Sequence, residues 1–300
     1  MIATGLPPID FALDRAAVAR SLAALAARKL AGQTGPVADA IRYALLGEGK
    51  RLRAILVIEA FRAAGGSGDA SALAAAVEVV HAYSLVHDDL PCMDDDDMRR
   101  GRPTVHKVYG VAAATAAGMA MVPLAAQAAD EAAQGLGLSP EVRGAIVRTL
   151  MQASGAGGMI GGQLLDLEGE GLALDLAQLE RIHRCKTGAL IEAAMRLGGL
   201  AAHAAPAMLS AFGRYGASIG LAFQITDDVL DITATTDELG KTAGKDLHLR
   251  KSTYPALLGI AGATRRAESL VQEACQGLQH QGALSPELEY LARFVVTRRS

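Results

Sequence analysis

The spacing of apolar residues most constrains the fold, because it is helical along almost the whole chain. Hydrophobic residues make up 51% of the 300 residues, whereas aromatic residues make up 4% and Trp is absent. The core must therefore be built from Ala, Leu, Val, Ile and Met, a set that favours helix over sheet. No segment shows a strand pattern, a repeat or a linker. The sequence predicts one all-α domain over residues 1–300, with about ten or more helices.

Helix boundaries follow from capping residues, prolines and glycine-rich loops. Pro91 ends a helix that begins near Ala72, because the residue before a proline is pushed out of helical geometry. Pro123 predicts a kink in the helix from Ala112 to Gly135. The other predicted helices cover Arg15–Leu30, Pro36–Leu46, Arg53–Ala64, Leu176–Ala201, Pro206–Ile232 and Tyr254–Gln279, with two more starting at Ser139 and Ser285.

Charge and cysteine content exclude several classes of function. A net charge of −3 gives no reason to expect nucleic acid or an anionic membrane as a partner. The 3 cysteines are far apart and form no C-x-x-C, which indicates a reduced, cytoplasmic protein without disulfides. The uncharged stretch 108–129 is long enough to span a bilayer, but its alanine and glycine give a weak transfer energy. We expect it to be a helix buried on all sides in a bundle, without stable membrane insertion.

Six aspartates within ten residues, from Asp88 to Asp97, form the most distinctive motif. Such like charges repel unless a cation lies among them, and Mg2+ typically binds a few carboxylates together with substrate phosphates. Because the helix ends at Pro91, the chain must bend back if Asp88 and Asp94 are to share a cation. We expect residues 95–97 to be solvated instead.

A second acidic group, Asp227-Asp228 with Asp231, occurs in a predicted helix. Asp227 and Asp231 are four residues apart and share a face with Gln224. The alternative is a solvated acidic face, but the flanking residues are apolar. Three basic segments accompany the two acidic ones: Gly49-Lys50-Arg51-Leu52-Arg53, Arg99-Arg100-Gly101-Arg102 and Lys186-Thr187-Gly188. Each alone resembles an ordinary surface, but together with the aspartates they indicate a site that ionises a diphosphate.

These motifs, in this order, resemble those of the trans-prenyl diphosphate synthases. The first aspartate motif has that family's bacterial and plant-type form, Asp88-Asp89-Leu90-Pro91-Cys92-Met93-Asp94, and the resemblance covers nearly the whole chain. It implies an all-α isoprenoid synthase bundle around a deep central cavity, and a homodimer. It also implies Mg2+-dependent head-to-tail condensation of isopentenyl diphosphate with dimethylallyl and geranyl diphosphate to (2E,6E)-farnesyl diphosphate. Geranyl or geranylgeranyl product, a class I terpene cyclase and a non-catalytic subunit of a heteromeric synthase are the alternatives.

The resemblance also implies roles for individual residues. Asp88, Asp94 and Asp227 would bind about three Mg2+ ions, with Asp89 and Asp231 as further candidate ligands. The diphosphate of isopentenyl diphosphate would be held by Lys50, Arg53, His81 and Arg100. The allylic diphosphate would be held by Arg99, Lys186, Thr187, Gln224 and Lys241. Of these, the predicted catalytic residues are Lys186, Thr187 and Gln224.

Product length depends by resemblance on Tyr83, five residues before the first aspartate. Helical geometry instead brings Ser84 closer to the face of Asp88, so both residues are candidates. The chain departs from the family pattern at four positions, Glu48, Ala54, Met119 and Pro123. Met119 stands where the family usually has an aspartate, whose loss would affect support for the arginines or for the first aspartate motif.

Overall fold

Thirteen α-helices make up most of residues 9–233 and 252–298, the part of the chain that the computed structural model describes. This confirms the all-α prediction. The helices are α1 Ala12–Lys29, α2 Pro36–Leu45, α3 Leu52–Ala63, α4 Ser71–Asp88, α5 Val105–Tyr109, α6 Val111–Gly135, α7 Pro140–Ser154, α8 Met159–Glu168, α9 Leu176–His183, α10 Ala189–Ala201, α11 Pro206–Thr233, α12 Tyr254–Gln279 and α13 Pro286–Thr297.

The expectation of no strand is wrong at one place, directly after the aspartate run. Two-residue strands β1 (Met98–Arg99) and β2 (Arg102–Pro103) pair antiparallel. Arg100 and Gly101, with φ of 52° and 74°, form the turn between them, and a two-residue turn with positive φ at both positions matches the right-handed twist of a hairpin. Strands this short leave no alternating pattern in the sequence. The hairpin places Arg99 and Arg100 next to the end of α4.

Helix α4 lies at the centre of the bundle, and most of its residues are buried. It packs against α1, α2, α3, α6 and α10. Its start is fixed by Asp69, whose Oδ1 accepts a hydrogen bond of 2.8 Å from the backbone N–H of Ser71. His81, Tyr83 and Asp88 are therefore held in fixed positions by a well-packed helix.

Helix α6 differs from the prediction, because it is not buried on all sides. By length and composition it is apolar enough to cross a membrane, and 44% of its most apolar 18-residue segment is buried. One side packs against α2, α4, α5 and α7, whereas Val111 and Met119 are 47% and 66% exposed on the other. The helix continues through Pro123, where the sequence predicts a kink. The sequence could not distinguish full burial from half burial, because alanine tolerates both.

Two predicted helices contain a local irregularity. The segment predicted as one helix from Leu176 to Ala201 is instead α9 and α10, joined by a π-helical turn at Arg184–Gly188. Helix α12 contains Gly259 with φ of 69° and ψ of 160°, which breaks the helical geometry there. π-turns inside helices often occur at functional sites, and this one contains Lys186 and Thr187.

Candidate active site

The first aspartate motif bends back on itself, as it must if Asp88 and Asp94 are to share a cation. The backbone N–H of Asp94 donates a 2.9 Å hydrogen bond to the carbonyl of Asp88. Burial raises the pKa of Asp88 to about 6, as do the carboxylates of Asp94 and Asp89, whereas Lys186 and Arg99 act in the opposite direction. Negative charge at this position is therefore unfavourable without a strong cation.

Asp89, the other candidate ligand of this motif, is already paired. It is 3% exposed, and its Oδ1 lies 2.7 Å from Nε and 2.5 Å from Nη2 of Arg99. Burial raises the pKa of Asp89, and the hydrogen bond from Arg99 opposes that shift. The geometry favours Asp89 as the residue that orients Arg99 rather than as a metal ligand.

A second set of cations surrounds His81. Its Nε2 lies 3.4 Å from Nη1 of Arg53. Burial lowers the pKa of His81 well below its usual value, and the charges of Arg53, Arg100 and Arg99 lower it further. Histidine is therefore neutral here and can accept or donate hydrogen bonds without adding charge. Excess positive charge around a partly buried, neutral imidazole makes a site for an anion.

Backbone contacts hold this basic cluster in position. Nη1 of Arg100 donates a 2.7 Å hydrogen bond to the carbonyl of Glu48, so the glutamate side chain at this position leaves the contact intact. A Cβ on Gly49 would lie 2.4 Å from the same Nη1, so a larger residue there would have to displace the Arg100 guanidinium. The backbone N–H of Ala54 donates to Oε1 of Glu78 at 3.3 Å, a bond that the proline common in the family lacks the N–H to make.

The π-helical turn brings a third basic group close to the aspartates. Nζ of Lys186 lies 2.6 Å from Oδ2 of Asp166 on α8, and Lys186 is close enough to Asp88 to lower its pKa. Thr187 is 8% exposed. A Cβ on Gly162 would lie 2.2 Å from the backbone nitrogen of Lys186, so α8 approaches the turn at backbone distance. Only glycine permits this approach.

The three aspartates of the second motif have three different environments. Oδ1 of Asp227 lies 2.7 Å from Nη2 of Arg298. Asp228 accepts a 2.9 Å hydrogen bond from the backbone N–H of Tyr254 at the start of α12, and it lies 3.3 Å from Nε2 of His183. Asp231 is 6% exposed, and its buried Oδ2 has no hydrogen-bond partner in the described part of the chain. An unpartnered buried carboxylate oxygen favours a cation as its missing partner.

The remaining predicted residues are placed as follows. Gln224 is partly buried on α11, one turn before Asp227. Tyr83 is 7% exposed, and its ring contacts the ring of His87 edge-on at 5.0 Å. The Ser84 hydroxyl donates to the carbonyl of His81 at 2.9 Å. Lys241 lies outside the described residues.

Met119 and Pro123 do not approach the site within the described chain, since both are exposed on the outer side of α6. Gly118, beside Met119, has a more direct role, because a Cβ there would lie 2.0 Å from Nε2 of His87. The concern that Met119 removes support from the arginines is therefore not supported by the geometry of one chain.

Sequence reasoning missed three features of the site. It gave no role to Asp166, it did not predict that Asp228 and Asp227 have different partners, and it did not predict the contact between Arg298 and Asp227. For Asp166 the available signal was the glycine-rich segment 157–162 that precedes it. Residues 95–97 are partly or fully exposed, as expected, although Asp95, Asp97 and His106 bring ligand atoms within 4.8 Å of one another.

An all-α bundle that carries two aspartate motifs beside clusters of arginine and lysine defines the class of diphosphate-using prenyl synthases. The polyprenyl synthetase family model matches residues 35–288. The chain therefore belongs to the polyprenyl synthetase family, and it is a prenyltransferase of isoprenoid biosynthesis.

Named relatives and solved structures agree with this assignment. The chain is 47% identical over 275 residues to the farnesyl diphosphate synthase of Escherichia coli (strain K12), covering 89% of this chain and 90% of the relative. It is 45% identical over 246 residues to geranylgeranyl pyrophosphate synthase 12 of Arabidopsis thaliana, covering 81% and 68%. A crystal structure of an FPP/GFPP synthase from Zymomonas mobilis has a TM-score of 0.79 at 35% identity, covering 93% of this chain and 96% of that one.

Proposed function

We propose that this prenyltransferase condenses isopentenyl diphosphate with dimethylallyl and then geranyl diphosphate to give (2E,6E)-farnesyl diphosphate. The observation that carries the proposal is that cations lie beside two different groups, Asp88 and His81. Arg99 and Lys186 accompany Asp88, whereas Arg53 and Arg100 surround the neutral His81. A reaction that joins two diphosphate substrates needs two such clusters, whereas a terpene cyclase binds one diphosphate and has no use for the second.

The acidic residues fit Mg2+. The donor set is made of carboxylate oxygens, which hard divalent cations prefer. The raised pKa of Asp88 and the unpartnered Oδ2 of Asp231 both favour an added positive charge. Asp88, Asp94 and Asp227 would hold about three ions, with Asp231 as a further candidate. Bound Mg2+ would stabilise diphosphate as a leaving group.

Protein side chains would bind the two diphosphates and stabilise the allylic cation. Arg99 and Lys186 bind the allylic diphosphate, with Lys241 as a further candidate, and favour cleavage of the allylic C–O bond. The Thr187 hydroxyl and the Gln224 amide oxygen stabilise the allylic cation that results. Lys50, Arg53, His81 and Arg100 hold isopentenyl diphosphate, whose double bond attacks the cation to form the new C–C bond. The released diphosphate then accepts the proton that restores the double bond.

Product length is the part of the proposal that the relatives leave open, because they include both farnesyl and geranylgeranyl synthases by name. The large, nearly buried side chain of Tyr83 supports the shorter product, since it fills space beside the first aspartate motif. Geranyl and geranylgeranyl diphosphate are the alternative products. A non-catalytic subunit of a heteromeric synthase has less support. Such a subunit could lose aspartates or arginines of the motifs without consequence, whereas this chain keeps both aspartate motifs and the three basic segments.

An assay on the isolated chain tests the function. Purified protein with Mg2+, isopentenyl and dimethylallyl diphosphate should give farnesyl diphosphate, identified by chromatography. Asp88→Ala and Asp227→Ala should each remove most activity while circular dichroism shows an intact fold. Asp95→Asn is the matched control, because Asp95 is exposed and its positive φ suits asparagine. Near-normal turnover by either alanine variant would rule out the metal assignment.

The exposed apolar side of α6 supports a homodimer. Val111 and Met119 would be covered by the same face of a second copy, which is the usual arrangement in symmetric dimers. A dimer would also suit a cytoplasmic protein, because it removes an apolar patch from water. Light scattering should give twice the 31.0 kDa of one chain. A monomer at micromolar concentration would contradict the proposal.

A further inference from the structure

The last described residue, Arg298, is seated inside the second aspartate motif. Its Nη2 donates to Oδ1 of Asp227 at 2.7 Å and to the carbonyl of Phe223 at 3.0 Å. Its Nε donates to the carbonyl of Val295 at 3.3 Å. The guanidinium carbon lies 3.9 Å from the centre of the Phe223 ring. The Arg298 side chain is only 6% exposed, so these contacts form a built seat rather than a surface ion pair.

This seat gives Asp227 a positive partner before any metal arrives. The guanidinium of this ion pair is buried, whereas the Asp227 carboxylate is 32% exposed, so the pair is screened less by solvent than a fully exposed one. The surroundings are already rich in positive charge, since burial and then Arg298 lower the pKa of Lys50, with Asp227 opposing. A divalent cation on Asp227 would therefore have to share its carboxylate with a neighbouring guanidinium, or replace it.

We infer that Arg298 is an internal counter-ion of Asp227, which a divalent cation must displace in order to bind there. The inference rests on the proposed function, because it takes Asp227 to be a metal ligand. Arg298 is a positioning residue that acts through Asp227, and its contact sets how much metal the second motif requires. The opposite arrangement, in which the metal takes Oδ2 while Arg298 holds Oδ1, predicts weaker metal binding once Arg298 is removed.

Mn2+ titration of the full-length, metal-free protein, followed by electron paramagnetic resonance without substrate, separates these cases. Arg298→Gln should bind Mn2+ about tenfold more tightly, because it removes one charge-assisted hydrogen bond that competes for the carboxylate. Arg298→Lys, which keeps the charge without the fork, should lie between the two. Arg293→Gln is the matched control, because Arg293 lies on α13, five residues before Arg298, and pairs with Glu289 of the same helix at 2.7 Å. This variant should leave Mn2+ binding unchanged.

An Asp227→Asn background completes the cycle. There Arg298→Gln should have no effect, because the carboxylate for which the two cations compete is gone. Unchanged or weaker Mn2+ binding by Arg298→Gln would overturn the inference, as would equal tightening in the Asp227→Asn background. The Mn2+ readout does not depend on turnover, so absent product formation by the wild-type chain would count against the proposed function alone.

Discussion

The adjacent aspartates 227 and 228 should respond to mutation in opposite ways. Asp228 is 6% exposed and accepts a 2.9 Å hydrogen bond from the N–H of Tyr254, which is 0% exposed. Asp228→Ala leaves that buried N–H without a partner, at a cost of about 1–3 kcal/mol, and also removes the contact with His183. Better helix propensity of alanine offsets about 0.5 kcal/mol. With about 0.5–1.5 kcal/mol added for the lost contact with His183, the net expected loss in free energy of unfolding is about 1–4 kcal/mol.

Urea unfolding of metal-free protein, followed by circular dichroism, measures this loss. For a chain of this length the loss corresponds to about 2–6 °C in the midpoint of thermal unfolding. Asp228→Asn should lose less, because its amide oxygen still accepts from Tyr254. Asp227→Asn should stay within about 1 kcal/mol of the wild type, since an oxygen remains for Arg298, although its activity should be lost.

Two results would refute the reasoning. If Asp228→Ala unfolds at the wild-type urea concentration, the bond to Tyr254 does not hold the start of α12. If Asp227→Asn is as unstable as Asp228→Ala, the two aspartates do not divide metal binding and structural support between them.

Three further predictions follow from the same contacts. Because the folded pKa of Asp88 is raised from 3.8 to about 6, its favourable contribution to metal-free stability is present below pH 3.8 and is lost as pH rises through about 6. Asp88→Asn should therefore gain stability relative to wild type as the pH rises from about 3.8 to about 6, and should keep that gain above pH 6, in urea unfolding at each pH. Gly162→Ala should lower kcat at least about tenfold by displacing the backbone of Lys186, whereas Gly277→Ala, with open space around it, should leave kcat unchanged. Tyr83→Ala should lengthen the product seen by chromatography, and unchanged product would exclude Tyr83 as a chain-length residue.

Much of the site could be predicted because its chemistry is local in sequence. The six aspartates, the basic segments and Pro91 lie within short stretches, and helical geometry fixes which of their side chains share a face. Pro91 predicts the end of the helix, and the hydrogen bond from the Asp94 N–H to the Asp88 carbonyl shows that the chain then bends back. For the same reason most predicted helix boundaries lie within about three residues of those in the structure, the divided segment Leu176–Ala201 excepted.

Features that depend on contacts between distant segments were not predictable. The π-helical turn at Lys186 exists where α8 approaches through Gly162, and a helical pattern in one segment carries no record of that approach. Half burial of α6 depends on which neighbours pack against it. The two strands of the hairpin at Arg99 have two residues each, which is too short for an alternating pattern in the sequence.

The sequence by itself determined that the chain is helical, that two acidic motifs need cations and that basic segments accompany them, because composition, spacing and charge are properties of the chain. Only the tertiary structure decided which neighbour each carboxylate has. Asp89 is paired with Arg99, Asp228 with Tyr254 and Asp227 with Arg298, whereas Oδ2 of Asp231 has no partner among the described residues. Identical side chains have different environments here because packing gives each one a different neighbour and a different degree of burial.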